Sequence, residues 1–153
     1  MALDSSLIGQ TRPGGTLLVT RSRLRVFAKA TGQTDPVFTD VEAARRAGHH
    51  DLPVPPTFYF GVDLEMPDPL GYLTEIGVDP RALLHGEQEF TYHGVAHAGD
   101  ELTSSSTVAD VFEKRGGALK FLVTDVPIAD QHGTTVVTMR STLVVRELNG
   151  VNA

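Results

Sequence analysis

Histidine is the side chain that most often transfers protons near neutral pH, and this chain has six histidines. Two arrangements could instead suggest metal ligands: the adjacent pair His49 and His50, and the pair His93 and His97. Residues four apart on a strand share a face but lie about 13 Å apart, too far to bind one ion. The chain has no cysteine and no HExxH motif, so the sequence predicts no metal site.

Two residues stand out as candidates for acid/base catalysis outside any metal site, His85 and Asp35. An imidazole and a carboxylate together can take a proton from water and return one to carbon. Each residue also has a structural interpretation. His85 could be a polar surface or interface residue, and Asp35 could form a turn before Pro36.

The elements that must position these residues begin with helices. Short helices are predicted on both sides of Asp35, because an N-cap residue precedes each helical run and a glycine follows it. The predicted caps and helices are Ser22, residues 23–31 and Gly32 for the first, and Asp40, residues 41–47 and Gly48 for the second. A buried helix is predicted near residues 56–65, because proline is favoured in a first helical turn and the following run is apolar on most faces.

The second half of the chain has the pattern of an antiparallel sheet. Its strand-like runs are separated by short, mostly glycine-containing turns, and a short run near the N-terminus could form an edge strand. The predicted strands are residues 16–20, 87–95, 101–114, 118–129 and 134–147. One buried helix followed by long antiparallel strands is an α+β pattern in which the sheet wraps around the helix. The expected core residues are Phe58, Val62, Phe121, Val123, Val137 and Met139.

Composition limits the class of protein. With 153 residues, 41% of them hydrophobic, the chain is predicted to form a single domain over residues 1–153. A net charge of −6 without a Lys/Arg cluster argues against a nucleic-acid partner. No apolar run has transmembrane length and the N-terminus lacks a signal-peptide pattern, so a cytoplasmic protein without a membrane partner is expected.

Residues 27–40 resemble the active-site loop of the MaoC-like, (R)-specific enoyl-thioester hydratase/dehydratase family, which has the hot-dog fold. That family's pattern is Phe-Ala-x-x-[Ser/Thr]-Gly-Asp-x-Asn-Pro-x-His-x-Asp, and its Asp and His, five positions apart, are the catalytic pair. Gln33 and Phe38 occupy those two positions here. Because Gln33 cannot exchange a proton and Phe38 has no polar atom, the resemblance implies the scaffold without its acid/base pair.

Further segments resemble the N-terminal, non-catalytic dehydratase branch of the same superfamily. Residues 84–93 and 98–102 are similar to its His-Gly-Glu-x-x-Phe-x-Tyr-His and Ala-Gly-Asp-x-Leu motifs, and residues 55–58 to its Pro-[Pro/Leu]-Thr-Phe helix start. The resemblance covers about residues 22–147. It implies a hot-dog fold, a long central helix wrapped by a curved antiparallel sheet of about five strands, which is an ordinary sheet size.

The start of the buried helix is a third departure from catalytic members. There a His-Gly pair begins the helix, and the glycine amide binds the thioester carbonyl oxygen, since a free N–H at a helix start stabilises developing enolate charge. Pro55 and Pro56 occupy the matching positions and have no N–H, although the Thr57 amide could serve if the register shifts by one. The implied substrate-binding residues are Pro55, Pro56, Thr57, Phe58, Tyr92 and His93.

The resemblance therefore implies a subunit that accommodates an acyl-CoA or acyl-carrier-protein thioester, pairs with a hot-dog partner bearing Asp and His, and is inactive alone. Two alternatives remain open. One is an active homodimeric (R)-specific enoyl-CoA hydratase or 3-hydroxyacyl dehydratase that uses displaced residues such as His85 or Asp35. The other is a non-enzymatic acyl-binding or assembly protein. No cofactor is expected.

Overall fold

A computed structural model of the chain describes residues 3–147. Its centre is one sheet of five antiparallel strands in the order β1-β3-β4-β5-β2, so that β1 and β2 form the two edges. The strands are β1 Thr11–Leu18, β2 Leu83–Tyr92, β3 Glu101–Lys114, β4 Leu119–Ala129 and β5 Thr135–Arg146. The predicted α+β class with a five-stranded antiparallel sheet is confirmed.

The strand boundaries follow the predicted ones most closely in the second half of the chain. β3 has the predicted bounds, β4 begins one residue later than predicted, and β5 is one residue shorter at each end. β2 begins at Leu83 instead of residue 87, and an irregularity between His85 and Glu87 interrupts its pairing with β5. β1 is longer than predicted because a register shift between Pro13 and Thr16 lets the strand continue past two glycines.

Within the described residues, three short α-helices accompany the sheet: α1 Arg21–Thr31, α2 Val41–Arg46 and α3 Gly71–Glu75. α1 begins two residues before the predicted start because Thr20, and not Ser22, is its N-cap and accepts a hydrogen bond from the Arg23 amide at 3.2 Å. Gly32 ends α1 in the left-handed conformation, with φ of 70°. Among residues 3–147, no helix has the length and apolar character needed to span a bilayer.

The long buried helix predicted near residues 56–65 is absent. The described chain forms two short 3-10 turns there, Phe58–Gly61 and Asp63–Glu65. Proline at positions 55 and 56, Gly61 inside the run and Pro67 beyond it leave too short a stretch for a stable α-helix. The burial expected of the segment is nevertheless present, because Phe58, Tyr59 and Val62 are all buried.

Tertiary hydrogen bonds hold this segment in place of helical ones. The Asp63 carboxylate accepts hydrogen bonds from the Gly15 amide, at 3.3 Å, and from the Ser104 hydroxyl. A Cβ atom on Gly15 would collide with the Val62 carbonyl, so the backbone of β1 approaches this segment as closely as only glycine permits. The segment 56–65, which contains these two 3-10 turns, therefore lies over the sheet and is called the roof segment, or roof, below.

The hydrophobic core divides into two clusters. Phe58, Val62, Val137 and Met139 lie in the first cluster, as predicted. The second cluster contains Leu73, Ile76, Val78, Val108 and Leu122, together with Leu3 and Leu7 near the N-terminus. The core thus has two centres on the inner face of one sheet.

Phe121 and Val123, both predicted core residues, lie on the face of β4 opposite to the two core clusters. Val123 is buried as predicted, and Phe121 is not. Leu122 between them belongs to the inner-face core, and alternate residues of a strand point to opposite faces. Phe121 is only half-buried and stacks on Phe112 with ring centroids 4.6 Å apart, whereas Val123 is buried outside both clusters. Three consecutive apolar residues cannot indicate which face is inward.

Candidate functional site

The loop at residues 32–40 contains the two positions at which the family's proton-transfer pair is expected. Gln33 is exposed, and its side-chain oxygen accepts a hydrogen bond from the Asp35 amide at 3.0 Å. Phe38 is half-buried in a 3-10 turn, Pro36–Phe38. The Asp35 carboxylate caps that turn by accepting from the Val37 amide at 3.0 Å. The polar side chains of the loop therefore stabilise the loop itself.

The residues at the start of the roof segment contact the end of β2. The Tyr92 hydroxyl donates a hydrogen bond to the Pro56 carbonyl at 2.9 Å. Phe58 packs edge-on against Phe27 of α1, with ring centroids 5.4 Å apart. Pro56 and Thr57 are exposed, and the Thr57 amide donates to no atom within residues 3–147. The structure thus brings Pro56 and Tyr92 into contact, and the backbone amide of the next residue, Thr57, has no partner in the described chain.

His93 and Tyr59, which are close to this contact, each have a hydrogen-bond partner of their own. An imidazole nitrogen of His93 lies 3.0 Å from the Thr138 hydroxyl oxygen of β5. The buried Tyr59 hydroxyl accepts a hydrogen bond from the Ala96 amide at 3.2 Å, and burial raises the pKa of this phenol. A buried tyrosine usually finds a partner for its hydroxyl, and here that partner ties the roof to the loop after β2.

His85, the candidate for a displaced catalytic residue, lies on β2 in a different environment. Its Nε2 is 3.4 Å from the Ser141 hydroxyl, and its ring lies edge-on to Phe60 with centroids 5.7 Å apart. Within residues 3–147 no carboxylate makes a hydrogen bond or ion pair with it. The structure does not bring His85 and Asp35 together, because Asp35 is occupied in the loop at residues 32–40.

Beside His85 a cavity of about 320 Å³ lies between the inner face of the sheet and the roof segment. Most of its wall is apolar. Its apolar lining includes Phe60, Leu64, Leu73, Leu83, Leu122 and Leu143. Sequence reasoning did not identify this cavity, since the residues that form it are spread over all five strands, the roof and α3.

A row of polar side chains crosses the inner face of the sheet at the cavity, with one residue from every strand. This polar belt consists of Arg12, Ser106, Thr124, Ser141 and Gln88, all of which line the cavity. Arg12 pairs with Ser106, Thr124 with Ser141, and Ser141 with Gln88 in the strand register. The sequence signal that could have identified the belt was a polar residue at a strand position that faces inward.

A second cavity of about 310 Å³ adjoins the first beside β1. Arg12, Asp63 and Tyr72 line both cavities. The guanidinium carbon of Arg12 lies 2.8 Å from the centre of the Tyr72 ring, so the two side chains are stacked. This pair forms part of the wall between the two spaces.

Three of the remaining histidines, His49, His50 and His97, form a cluster away from both cavities. His49 Nδ1 and His97 Nε2 are 3.0 Å apart, and the His50 ring lies 4.1 Å from the His97 ring. Burial, followed by the charges of His50 and His49, lowers the pKa of His97. No group of three or more His, Cys, Asp or Glu side chains within the described residues has the arrangement of a metal site.

Comparison with known proteins identifies the family. Residues 6–139 match the model described as FAS1-like, dehydratase domain region. A UPF0336 protein of Leifsonia xyli subsp. xyli is 44% identical over 134 residues, which cover 88% of this chain and 89% of the relative. A UPF0336 protein of Streptomyces griseus is 38% identical over 147 residues, covering 95% and 97% of the two chains.

Solved structures identify the fold. The HadBC (3R-hydroxyacyl-ACP dehydratase) complex of Mycobacterium tuberculosis matches with a TM-score of 0.77 and 24% identity, over 94% of this chain and 99% of that one. A MaoC-like dehydratase matches with a TM-score of 0.82 and 21% identity, over 97% of this chain and 44% of that one. The chain belongs to the FAS1-like dehydratase region family, and its fold is the hot-dog fold of the MaoC-like dehydratases.

Proposed function

We propose that this chain is the substrate-accommodating, non-catalytic subunit of a hot-dog acyl-thioester hydratase/dehydratase. One combination carries the proposal: Gln33 and Phe38 occupy the family's proton-transfer positions in a chain that retains a mainly apolar cavity of about 320 Å³. Hydration of an enoyl thioester needs one group that takes a proton from water and one that delivers a proton to carbon. Neither an amide nor a phenyl ring can do either.

The environment of Pro56 supports the same assignment. A catalytic site needs a donor aimed at the thioester oxygen as negative charge develops there. Pro56 has no N–H, and its carbonyl is engaged by the Tyr92 hydroxyl at 2.9 Å. The Thr57 amide is the remaining donor at this end of the roof, and it begins a 3-10 turn of only four residues.

The cavity has the size and character of a site for an acyl chain. Ligand pockets are typically concave, mostly apolar and a few hundred Å³ in volume. At about 30 Å³ for each water-sized group, the space of about 320 Å³ holds on the order of ten such groups. An acyl chain of medium length fits this volume, whether the thioester is to coenzyme A or to acyl carrier protein.

The free edge of β2 is the proposed site of contact with a catalytic partner. Within the described residues β2 pairs with β5 on one side only, and proteins normally pair or cover such an edge. Leu84 and Tyr92 on this strand are 48% and 47% exposed. The similar HadBC and ChsH1–ChsH2 proteins were solved as complexes, which supports a paired assembly.

One observation favours a second candidate function, an active homodimeric hydratase. His85 lines the cavity and is within 3.4 Å of the Ser141 hydroxyl, so a proton-transfer group does face the proposed acyl site. A hydroxyl does not supply the base that a hydratase needs, because its pKa is far from neutral. This alternative therefore requires a carboxylate from a second subunit.

The test is to assay the full-length chain alone and with a hot-dog protein that bears the Asp/His pair, preferably the product of a neighbouring reading frame. We expect no measurable hydration of crotonyl or longer enoyl thioesters by the chain alone. The mixture should accept bulkier acyl groups than the Asp/His protein does by itself. Light scattering should show at least a dimer at low concentration, and a monomer at every concentration contradicts the proposal.

Robust turnover by the isolated chain that is abolished by His85→Ala would establish the second function instead. His132→Ala is the matched control, since His132 is exposed on the turn before β5 and outside both cavities. Acyl binding without a catalytic partner and without activity would favour a non-enzymatic acyl-binding protein.

A further inference from the structure

Three buried side-chain atoms have no hydrogen-bond partner within residues 3–147, and all three belong to residues that line the first cavity. They are Nη1 of Arg12, the hydroxyl of Tyr72 and Oε1 of Gln88. Buried polar atoms in folded proteins nearly always have a partner, because an unpaired one loses its hydration without compensation. Three such atoms around one space indicate that the contents of the cavity complete their hydrogen bonds.

Two of these atoms belong to the opposite edge strands of the sheet, and the third belongs to Tyr72, which stacks on Arg12. Gln88 is on β2 and Arg12 is on β1, the two edge strands, and four strand spacings of about 4.8 Å place them on the order of 19 Å apart along the sheet before curvature. At the β2 end, His85 and Phe60 are exposed. At the β1 end, Arg12 and Tyr72 stack on each other and are half-buried. The stacked pair is therefore a separate polar site.

The Arg12–Tyr72 pair offers hydrogen-bond donors to an oxygen atom. A guanidinium only donates, and a phenol hydroxyl can donate. Arg12 takes part in none of the ion pairs formed by the described residues. The Asp63 carboxylate also lines the cavity, but its Oδ1 already accepts from Ser104 and Gly15. Asp68 and Glu75 line the second cavity beside Arg12, but neither forms an ion pair with it among the described residues. No direct ion pair therefore occupies the guanidinium, and it is available to a ligand.

We infer that the Arg12–Tyr72 end of the cavity binds an oxygen function, a hydroxyl or a carboxylate, at the far end of an acyl chain. This inference rests on the proposed function and adds the substrate class: acyl thioesters oxygenated near the ω end. A terminal methyl group would leave both buried donors unpaired. Sites built to hydrogen-bond a substrate oxygen discriminate strongly against the analogue that lacks it.

Three thioesters of N-acetylcysteamine test the inference with chains of equal length: decanoyl, 10-hydroxydecanoyl and 9-carboxynonanoyl. The chain length follows from the cavity, which holds on the order of ten water-sized groups. Isothermal titration calorimetry of the full-length chain should give Kd values about tenfold lower for the two oxygenated probes than for decanoyl, as expected for hydrogen bonds to a charged donor. The hydroxyl and carboxylate probes together distinguish a neutral ligand end from an anionic one.

Two variants locate the preference, and a third controls for it. Tyr72→Phe removes only the hydroxyl and should reduce the preference several-fold. Arg12→Met should abolish it and weaken the carboxylate probe most, because the charge is lost. Gln88→Met removes an unpaired polar atom at the other end of the same cavity, and the preference for oxygenated chains should remain. Circular dichroism confirms that each variant is folded.

Equal affinity of the unmodified chain for all three probes overturns the inference while leaving the acyl-binding proposal intact. A preference that persists in both Tyr72→Phe and Arg12→Met also overturns it. If a plain hexadecanoyl thioester binds more tightly than the decanoyl thioester, the side chains of Arg12 and Tyr72 move aside and let the longer chain enter the second cavity. That result would contradict a polar site for the far end of the chain. Failure of every probe to bind contradicts the acyl-binding proposal and this inference together.

Discussion

The loop at residues 32–40 and the polar belt differ in whether their polar side chains have hydrogen-bond partners within the chain. In the loop, Gln33, Asp35 and Asp40 each accept a hydrogen bond from a nearby backbone amide. In the belt, Arg12 and Gln88 each bury an atom that has no partner in the described part of the chain. The region that resembles an active site satisfies its polar groups within the chain, whereas the polar belt, which sequence reasoning did not identify, leaves buried atoms unpaired among the described residues.

Restoring the acid/base pair should produce the largest change. Gln33→Asp combined with Phe38→His should give measurable hydration of crotonyl thioester from a chain that we expect to show none. The rate should remain on the order of 100-fold below that of a catalytic hot-dog protein, because Pro56 supplies no amide donor. Gln33→Asn with Phe38→Leu adds no titratable group, and activity in this control would assign the rate to other residues. Loss of enoyl absorbance measures the rate.

Adding a methyl group at Gly15 should cause the largest loss of stability. Its Cβ would meet the backbone carbonyl of Val62, which cannot move without displacing the roof of the cavity. We expect Gly15→Ala to lower the free energy of unfolding by about 2–3 kcal/mol in urea titrations. Gly61→Ala is the matched control, since a Cβ at Gly61 meets no atom within 4 Å. A similar loss in both variants would contradict the close approach of β1 to the roof.

Two glutamines provide a direct contrast between the loop and the belt. Gln88→Met removes an unpaired buried oxygen, together with an exposed hydrogen bond from Nε2 to the Glu89 carbonyl at 3.3 Å that water can replace. It should stabilise the ligand-free chain by about 1 kcal/mol, which raises Tm by about 2–4 °C for a chain of this size. Gln33→Met removes a satisfied hydrogen bond to the Asp35 amide and should destabilise it by about 0.5–1 kcal/mol. Differential scanning calorimetry measures both, and changes of equal sign would contradict the contrast.

The smallest expected effect concerns acid stability and His97, which belongs to neither region. Burial, followed by His50 and His49, lowers its pKa in the folded chain. The unfolded chain then binds this proton more readily, so the contribution is fully present above about pH 6.5, the ordinary value, and is lost as the pH falls through the lowered pKa. His97→Gln should flatten the dependence of unfolding free energy on pH between about pH 7 and pH 5. An unchanged slope would show that His97 does not carry this part of the pH dependence.

The elements that could be predicted from the sequence are those with local physical causes. Asp40 and Gly32 cap helices through their own side chain and backbone, and both positions were predicted. The bounds of β3 followed from a turn on each side of a long strand-like run. Such features depend on residues that are close in the sequence, so tertiary contacts change them little.

The features that could not be predicted depend on partners distant in the chain. The roof is held against the sheet because Asp63 is bonded to Gly15 and Ser104, which lie 48 and 41 residues away. The polar belt could not be predicted, because the sequence does not show the register in which the strands pair. It therefore does not show which Ser and Thr residues lie side by side. The unpaired atoms of the belt become apparent only when the five strands are aligned.

The shared wall of the two cavities has a consequence for ligand length. Volumes of about 320 and 310 Å³ meet at a boundary to which the side chains of Arg12 and Tyr72 both contribute. Under the proposed acyl-binding function, the reach of a bound chain is set by a few side chains at one margin of the sheet and not by the course of the backbone. We expect that exchange of these two residues changes the length of ligand that fits, one substitution at a time, while every strand and turn of the fold is retained.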